Sequence, residues 1–267
     1  MIKRITSPSN PLIKYVKSLH RKKKRWEHKS YIIEGVRLVE DCLNSNAEIE
    51  YILYSDSLLN VKDGDSILEK LKSKGYTLYN ITDNILKKIS DTMNPQGIIA
   101  VVKINSIVLE DILTTNNILI LLDRIQDPGN MGTIIRTAEA LGATGILVTE
   151  GCVDIYNPKV VRATMGSIFR VPIVFLDDTK EKIKYLKSKG IQIIATSLDT
   201  NKFCHEVDFK NDFILVVGNE ASGVSDEILR ASTEIIKIPM VGKAESLNAA
   251  MAFGITMYEA RRQRMEI

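Results

Sequence analysis

The chain has 267 residues, of which 45% are hydrophobic and 26% charged, enough apolar material for one large domain or two ordinary ones. No apolar run approaches the roughly 18 residues of a membrane helix, and MIKRITSPSN lacks a signal-peptide core, so the expectation is a soluble cytoplasmic protein that does not enter a membrane. Three dispersed cysteines (Cys42, Cys152, Cys204) without CxxC pairing, and three scattered histidines (His20, His28, His205), argue against a disulfide framework and against a metal site.

The net charge of +3 is unevenly spread. Ten Lys or Arg against two acids give the first 35 residues +8 and leave −5 for the remainder. Within that basic stretch, SPSNPLIKYVKSLH predicts a helix from near Pro11, capped by Ser7 or Ser9, with Leu12, Val16 and Leu19 at helical spacing. Arg21, Lys22, Lys23, Lys24 and Arg25 follow, with Trp26 beside them. Such a run suits phosphate contacts with a nucleic acid or, equally, a solvated surface.

Strand and helix then alternate: YIIEG, GVRLVEDCLN, IEYILYS, SILEKLKSKG, YTLYNI, TDNILKKIS with a Thr cap, and GIIAVVK. Residues 1–104 are thus predicted to form an α/β domain of their own. The weaker periodicity of INSIVLEDILTTNN makes 105–117 the predicted linker, and 118–267 the second domain.

That domain opens with ILILLDRI, an apolar run suited to a strand covered on both faces. QDPGNMGTIIRTAEALG turns at Pro128-Gly129 and enters a helix near Asn130 or Gly132, with Ile134, Ile135, Ala138 and Leu141 on its buried side and Arg136 pointing elsewhere. Taken alone, Arg136 reads as an exposed cation or an ion-pair partner. GILVT is a strand, Asn157 caps a helix carrying Arg162, DDTKEKIKYLKSKG is an amphipathic helix, and IQIIATSL ends a strand at Thr196.

FILVVGNEASGVSDEILRAS gives strand, glycine turn and helix, and Glu220 can sit at a helix start. Ser246 or Glu245 is predicted to begin the last helix, with Ser246 as cap and Asn248 in the first turn; Leu247, Ala250, Met251, Ile255 and Tyr258 recur along it. Three stretches of nearly bare main chain therefore lie at strand ends: Gly218-Asn219-Glu220, Pro239 to Gly242, and the turn before Ser246. A ligand gripped by backbone is the first hypothesis. No strand feeds a GxGxxG turn and no P-loop is present, which leaves no dinucleotide or ATP signature.

LLDRIQDPGNMGTIIRTAEALG, GNEASGV and IPMVGKAESLNAAMAFGITMYE, in that order, resemble the three motifs of SpoU/TrmH-type RNA 2'-O-ribose methyltransferases, the TrmH branch of the SPOUT class. The resemblance spans about residues 116–267. PSNPLIKYVKSL and YIIEGVRLV more loosely resemble the ribosomal-protein-L30e-like substrate-binding domain that often precedes it. What this implies is a C-terminal α/β domain with a trefoil knot, S-adenosylmethionine as cofactor, a homodimer, and an RNA substrate. On these motifs Asn130 and Arg136 fall on the first-motif pair, Glu220 on the second-motif acid, and Ser246 and Asn248 on a polar pair beside cofactor and substrate.

Main chain around Gly218, Ile238 and Leu247, with Met240 and Thr196, would hold the cofactor; Arg162 and Ser167 would contact RNA. Arg136, whose pKa above 12 makes it a poor base, would orient the ribose through its phosphate, itself fixed by Glu220 and Asn130. The two-domain layout is analogous to that of ribosomal-RNA enzymes, which favours rRNA over tRNA. A base methyltransferase and a non-catalytic RNA-binding protein are the rivals.

Overall fold

The computed structural model describes residues 1–265 and divides into two compact units, one of residues 1–105 with 156–169, the other of 106–155 with 170–267. The first unit runs β1 (Ile2–Ile5), α1 (Pro11–Ser18), α2 (Lys22–His28), β2 (Ser30–Glu34), α3 (Val36–Leu43), β3 (Ile49–Tyr54), α4 (Gly64–Ser73), β4 (Leu78–Ile81), α5 (Asp83–Ile89) and β5 (Ile98–Lys103). Its sheet has the order β1-β4-β3-β5-β2, parallel through the first three strands and antiparallel at β5. Ile13, Val16 and Leu19 from α1 and its C-terminal turn, and Ile85, Leu86 and Ile89 from α5, close over Ile5, Leu53, Ile81 and Val101 on one sheet face.

Three details differ from the sequence reading. The cap of α1 is Asn10, whose Oδ1 accepts from the Leu12 N–H at 2.9 Å, while Ser7 and Ser9 bond each other; Ile13 takes the buried place given to Leu12. β1 was not foreseen. Its IKRI buries only Ile5 and offers no apolar run, so pairing with β4, Lys3 beside Tyr79, is what makes it a strand. The basic run, given no secondary structure from sequence, forms a helix: α2 ends on Lys29 at φ 48°, while Thr82 caps α5 as the sequence indicates.

The second unit begins with α6 (Leu109–Ile112), β6 (Ile118–Asp123), α7 (Pro128–Ala140) and β7 (Gly145–Val148). The stretch read as a linker is anchored, because Leu109 and Ile112 lie in the core with Leu119, Leu121 and Leu147. Asp127 caps α7 by accepting from the Asn130 N–H at 2.8 Å, which starts the helix at Pro128, before the position expected.

The chain next returns to the first unit. Asn157 caps α8 (Pro158–Ala163), Val160 and Val161 are buried, and the Tyr156 ring lies 4.6 Å from that of Tyr31. Residues 156–169, read from sequence as part of the second domain, thus pack into the first unit.

β8 (Ile173–Phe175), α9 (Thr179–Ser188), β9 (Gln192–Thr196), β10 (Phe213–Gly218), α10 (Asp226–Ala231), β11 (Glu234–Ile236) and α11 (Ala249–Arg264) complete the second unit. Its six strands, in the order β11-β9-β10-β6-β7-β8, are all parallel. Central β6 and β10 are buried along their whole lengths, as continuous apolar runs with both faces covered require. Register places Gly218 level with Asp123, and Ile236 level with Thr196, so the strands' carboxyl ends gather at one edge. There α11 packs along α7 and β10.

Ile112→Ala should therefore behave as a core truncation. We expect urea denaturation to show the second unit destabilised by about 2–5 kcal/mol, where a solvated linker would lose nothing measurable.

Candidate active site

The site starts from the carboxylate of Asp123 at the end of β6. It is buried, and its Oδ2 accepts from the Ser225 N–H at 2.7 Å, pinning the far side of the glycine turn that follows β10. The Asn219 side chain holds the near side. Its Oδ1 accepts from the N–H groups of Ala221 and Ser222, both at 3.0 Å, and its Nδ2 donates to the Arg124 carbonyl at 2.9 Å. The turn closes by paired main-chain bonds between Asn219 and Gly223, with Gly223 at φ +68°. A Cβ on Gly218 would come within 2.1 Å of the Val224 nitrogen, so only glycine permits this approach. Sequence reasoning gave no role to the side chains of Asp123 or Asn219; a polar residue at the carboxyl end of each buried central strand was the available signal.

A second constellation joins three segments distant in sequence. Glu220 accepts from the Gln126 N–H at 3.1 Å and, through its other oxygen, from the Asp127 N–H and the Asn130 Nδ2, each at 3.0 Å. Asn130 accepts in turn from Asn248 Nδ2 at 2.8 Å, and Asn248 caps α11 by accepting from the Ala250 and Met251 N–H groups. Glu220 does sit at a helix start, that of α7 rather than of its own segment. The first residue of the last helix is Ala249, so the capping role expected of Ser246 belongs to Asn248, and Ser246 stands exposed in the preceding turn.

Electrostatics follow from these bonds. Partial burial alone would raise the Glu220 pKa, but donation from Asn130 and from the main chain outweighs it and holds the carboxyl below its ordinary value.

Beside this chain of side chains opens a cavity of about 450 Å³ at the ends of β9, β10 and β11. Thr196, Gly218, Ile238, Met240 and Leu247, the five positions expected to hold a cofactor, all line it, as do Glu220 and Ser246. The Thr196 hydroxyl is committed to the Val216 carbonyl at 3.1 Å, which leaves its main chain and methyl to face a ligand.

Arg136 is placed otherwise than anticipated. It is exposed on α7, has no hydrogen-bond or ion-pair partner among the described residues, and is not held by Glu220 or Asn130, which bond each other instead. Six residues along a helix separate Arg136 from Asn130 by about 120° in azimuth, which is why one acid cannot orient both.

The RNA-contact candidates divide. Arg21, Lys22 and Lys23 are exposed and Lys24 pairs with Glu27 at 2.8 Å, but Arg25 is only 2% exposed and donates to the Leu19 and His20 carbonyls at 2.8 and 2.9 Å. Arg25 thus closes the end of α1 and is not available to a phosphate. Arg162 pairs with Asp91 at 2.8 Å, and Ser167 is buried, both within the first unit.

Parallel strands, a cavity at their carboxyl ends and a polar chain beside it define an α/β protein with a small-ligand site at one sheet edge. The profile of the SpoU rRNA Methylase family matches residues 117–258, more than half of the chain, and that of the MRM3-like substrate binding domain matches residues 10–100. The chain belongs to the SpoU rRNA methylase family. It is 34% identical to the 23S rRNA (guanosine(2553)-2'-O)-methyltransferase RlmP of Bacillus subtilis, over 97% of this chain and 100% of the relative. It is 30% identical to the 23S rRNA (uridine(2479)-2'-O)-methyltransferase of Streptomyces viridochromogenes, over 98% and 93%. The AdoMet-bound rRNA methyltransferase from Sinorhizobium meliloti superposes with a TM-score of 0.88 at 34% identity, covering 99% of each chain.

Two outcomes test the site. Gly218→Ala forces the turn away from Val224, and calorimetry should show uptake of S-adenosylmethionine weakened at least roughly tenfold, as for a contact worth more than 1.4 kcal/mol. Because the Glu220 pKa is depressed in the fold, its stabilisation is present above the ordinary carboxyl range and lost as pH falls through the folded value. Glu220→Gln should therefore be less stable than the parent at pH 7, and the two should converge on acidification; parallel curves across that range would contradict the role given to the carboxylate.

Proposed function

We propose that this chain transfers a methyl group from S-adenosylmethionine to a ribose 2'-hydroxyl of ribosomal RNA. The observation that carries the reading is the meeting, at one sheet edge, of the glycine-walled cavity with the Glu220–Asn130–Asn248 chain. The cavity fits the cofactor: its volume lies in the range of small-ligand sites, and it is lined by residues of the turns that follow β9, β10 and β11. Gly218, Ile238, Met240 and Leu247 would hold the nucleoside, and Thr196 would close one side. When bound, S-adenosylmethionine supplies an activated methyl on a sulfonium, so no leaving group has to be created.

The protein's own work is then positioning. Asn130, aligned by Glu220 and Asn248, presents a fixed amide beside the cavity. Ser246, exposed in the turn before α11, offers a hydroxyl to the ribose. Arg136, exposed and unpaired among the described residues, binds the adjacent phosphate and stabilises negative charge developing on the ribose oxygen.

Both relatives named above carry 23S rRNA in their names, which favours rRNA over tRNA. We take the unit of residues 1–105 with 156–169 as the recruiting domain, with Arg21 to Lys24 and Arg162 as RNA contacts, and that of 106–155 with 170–265 as the methyltransferase domain with the trefoil knot of its class. The unit is a homodimer in this reading: Met251, Ile255 and Tyr258 form an apolar stripe on α11 that is 60%, 40% and 59% exposed. The setting is the cytoplasm; among the described residues no helix is long and apolar enough to cross a membrane, and no cluster of side chains is arranged to hold a metal.

With labelled S-adenosylmethionine and unmodified 23S rRNA, digestion should yield a nuclease-resistant dinucleotide carrying the label; labelling of tRNA alone, or of a base, would replace the proposal. Arg136→Ala should reduce transfer by roughly 100-fold or more while cofactor affinity stays within a few-fold, and near-normal turnover would remove Arg136 from the mechanism.

A further inference from the structure

One surface of the first unit is left unused by everything above. Along β1, β4 and β3 the sheet face that carries the core continues past the helices that cover it. Ile5, Leu53 and Ile81 are buried beneath α1 and α5, whereas Lys3, Tyr51 and Tyr79, each two residues earlier on the same strand and therefore on the same face, emerge from cover. The three tyrosines Tyr15, Tyr51 and Tyr79 form a continuous run, with ring centroids 5.9 and 6.0 Å apart and edge-to-face tilts of 71° and 61°. Lys3 Nζ lies 5.9 Å from the Tyr79 ring centre, and Lys3 and Arg4 are both exposed. Together with Leu12 these residues line a groove of about 600 Å³ that has no acidic residue in its wall.

The nearest carboxylate does not oppose an anion. Glu50 accepts from the Tyr15 hydroxyl at 2.9 Å and from Ser30 at 3.1 Å, and pairs with Lys103 at 3.2 Å. Burial, with the Glu50 carboxylate adding to it, pushes the Tyr15 hydroxyl up to about 12.

We propose that this groove binds a single-stranded segment of the RNA substrate, with bases stacked on Tyr51 and Tyr79 and the backbone phosphates on Lys3 and Arg4. A row of partly covered aromatic rings on a sheet face offers π-surfaces that any base can stack on, and two cations at its rim, with no free acid, complement a phosphodiester chain. A duplex hides its base faces and cannot use the rings. The surface is distinct from Arg21 to Lys24 on α2, and the inference rests on the reading of the chain as an RNA-modifying enzyme.

The test uses the full chain and a fluorescein-labelled oligouridine of about twelve nucleotides, within the usual reach of such platforms, followed by anisotropy against a duplex of equal length. The single strand should bind more tightly than the duplex. Tyr51→Leu and Tyr79→Leu, which keep apolar bulk against the core, should each weaken it roughly tenfold. Lys3→Ala with Arg4→Ala, at exposed positions that do not threaten folding, should reduce the slope of log affinity against log salt by about 1.4. Equal binding of duplex and single strand, or an unchanged affinity in the tyrosine variants with an unchanged slope in the charge variant, would overturn the proposal. Calorimetry of S-adenosylmethionine on the same proteins separates the two ideas. Normal cofactor uptake with indifferent groove variants defeats the groove alone, while absent uptake by the parent defeats the methyltransferase reading and leaves the groove result standing.

Discussion

The second unit depends on one carboxylate. Glu220, carried on the turn after β10, accepts two main-chain N–H groups at the entrance of α7 and the amide of Asn130, which itself receives Asn248 from the cap of α11. Ninety residues separate the first pair and 118 the second, so nothing local holds these segments together. A carboxylate placed on N–H donors at a helix start is stabilised by those bonds, and with the Asn130 amide they hold the Glu220 pKa below its ordinary value. Satisfying α7 and aligning the site are thus a single arrangement.

From that constraint the cavity follows. Gly218 must be glycine for the turn to pass Val224, Asn219 and Asp123 fix the two sides of the turn, and the cap of α11 sets where Leu247 and Ser246 stand. The polar side chains of Glu220, Asn219 and Thr196 beside the cavity are already engaged within the fold. Arg136, in contrast, is left unpaired on the outer side of α7, where its charge is available to a partner that arrives with its own phosphate.

Much of this was legible beforehand, and the reasons are specific. The runs ILILLD and FILVVG read as doubly covered strands, and the bare turns after them suggested a backbone-gripped ligand; the five positions expected to hold a cofactor line one cavity. What escaped was whatever depends on long-range pairing. β1 is a strand only because β4 lies beside it, and Arg25 looked like its cationic neighbours until its guanidinium was seen to close α1. Leu109 and Ile112 sit in too short a periodic stretch to announce a helix, though they fill core space. Asn248 and Ser246 compete for the same cap, and propensity cannot choose between them; the bond from Asn248 to Asn130 does. The return of residues 156–169 to the first unit has no local signal, since Val160, Val161 and Tyr156 would be apolar in either setting.

The most direct trial of the account is a double-mutant cycle on Glu220→Ala and Asn248→Ala, read as affinity for S-adenosylmethionine. If the two act through Asn130 as one unit, the double variant should bind scarcely worse than either single variant, a coupling of about 0.5–3 kcal/mol. Strictly additive losses, or a parent protein that takes up no cofactor, would contradict it.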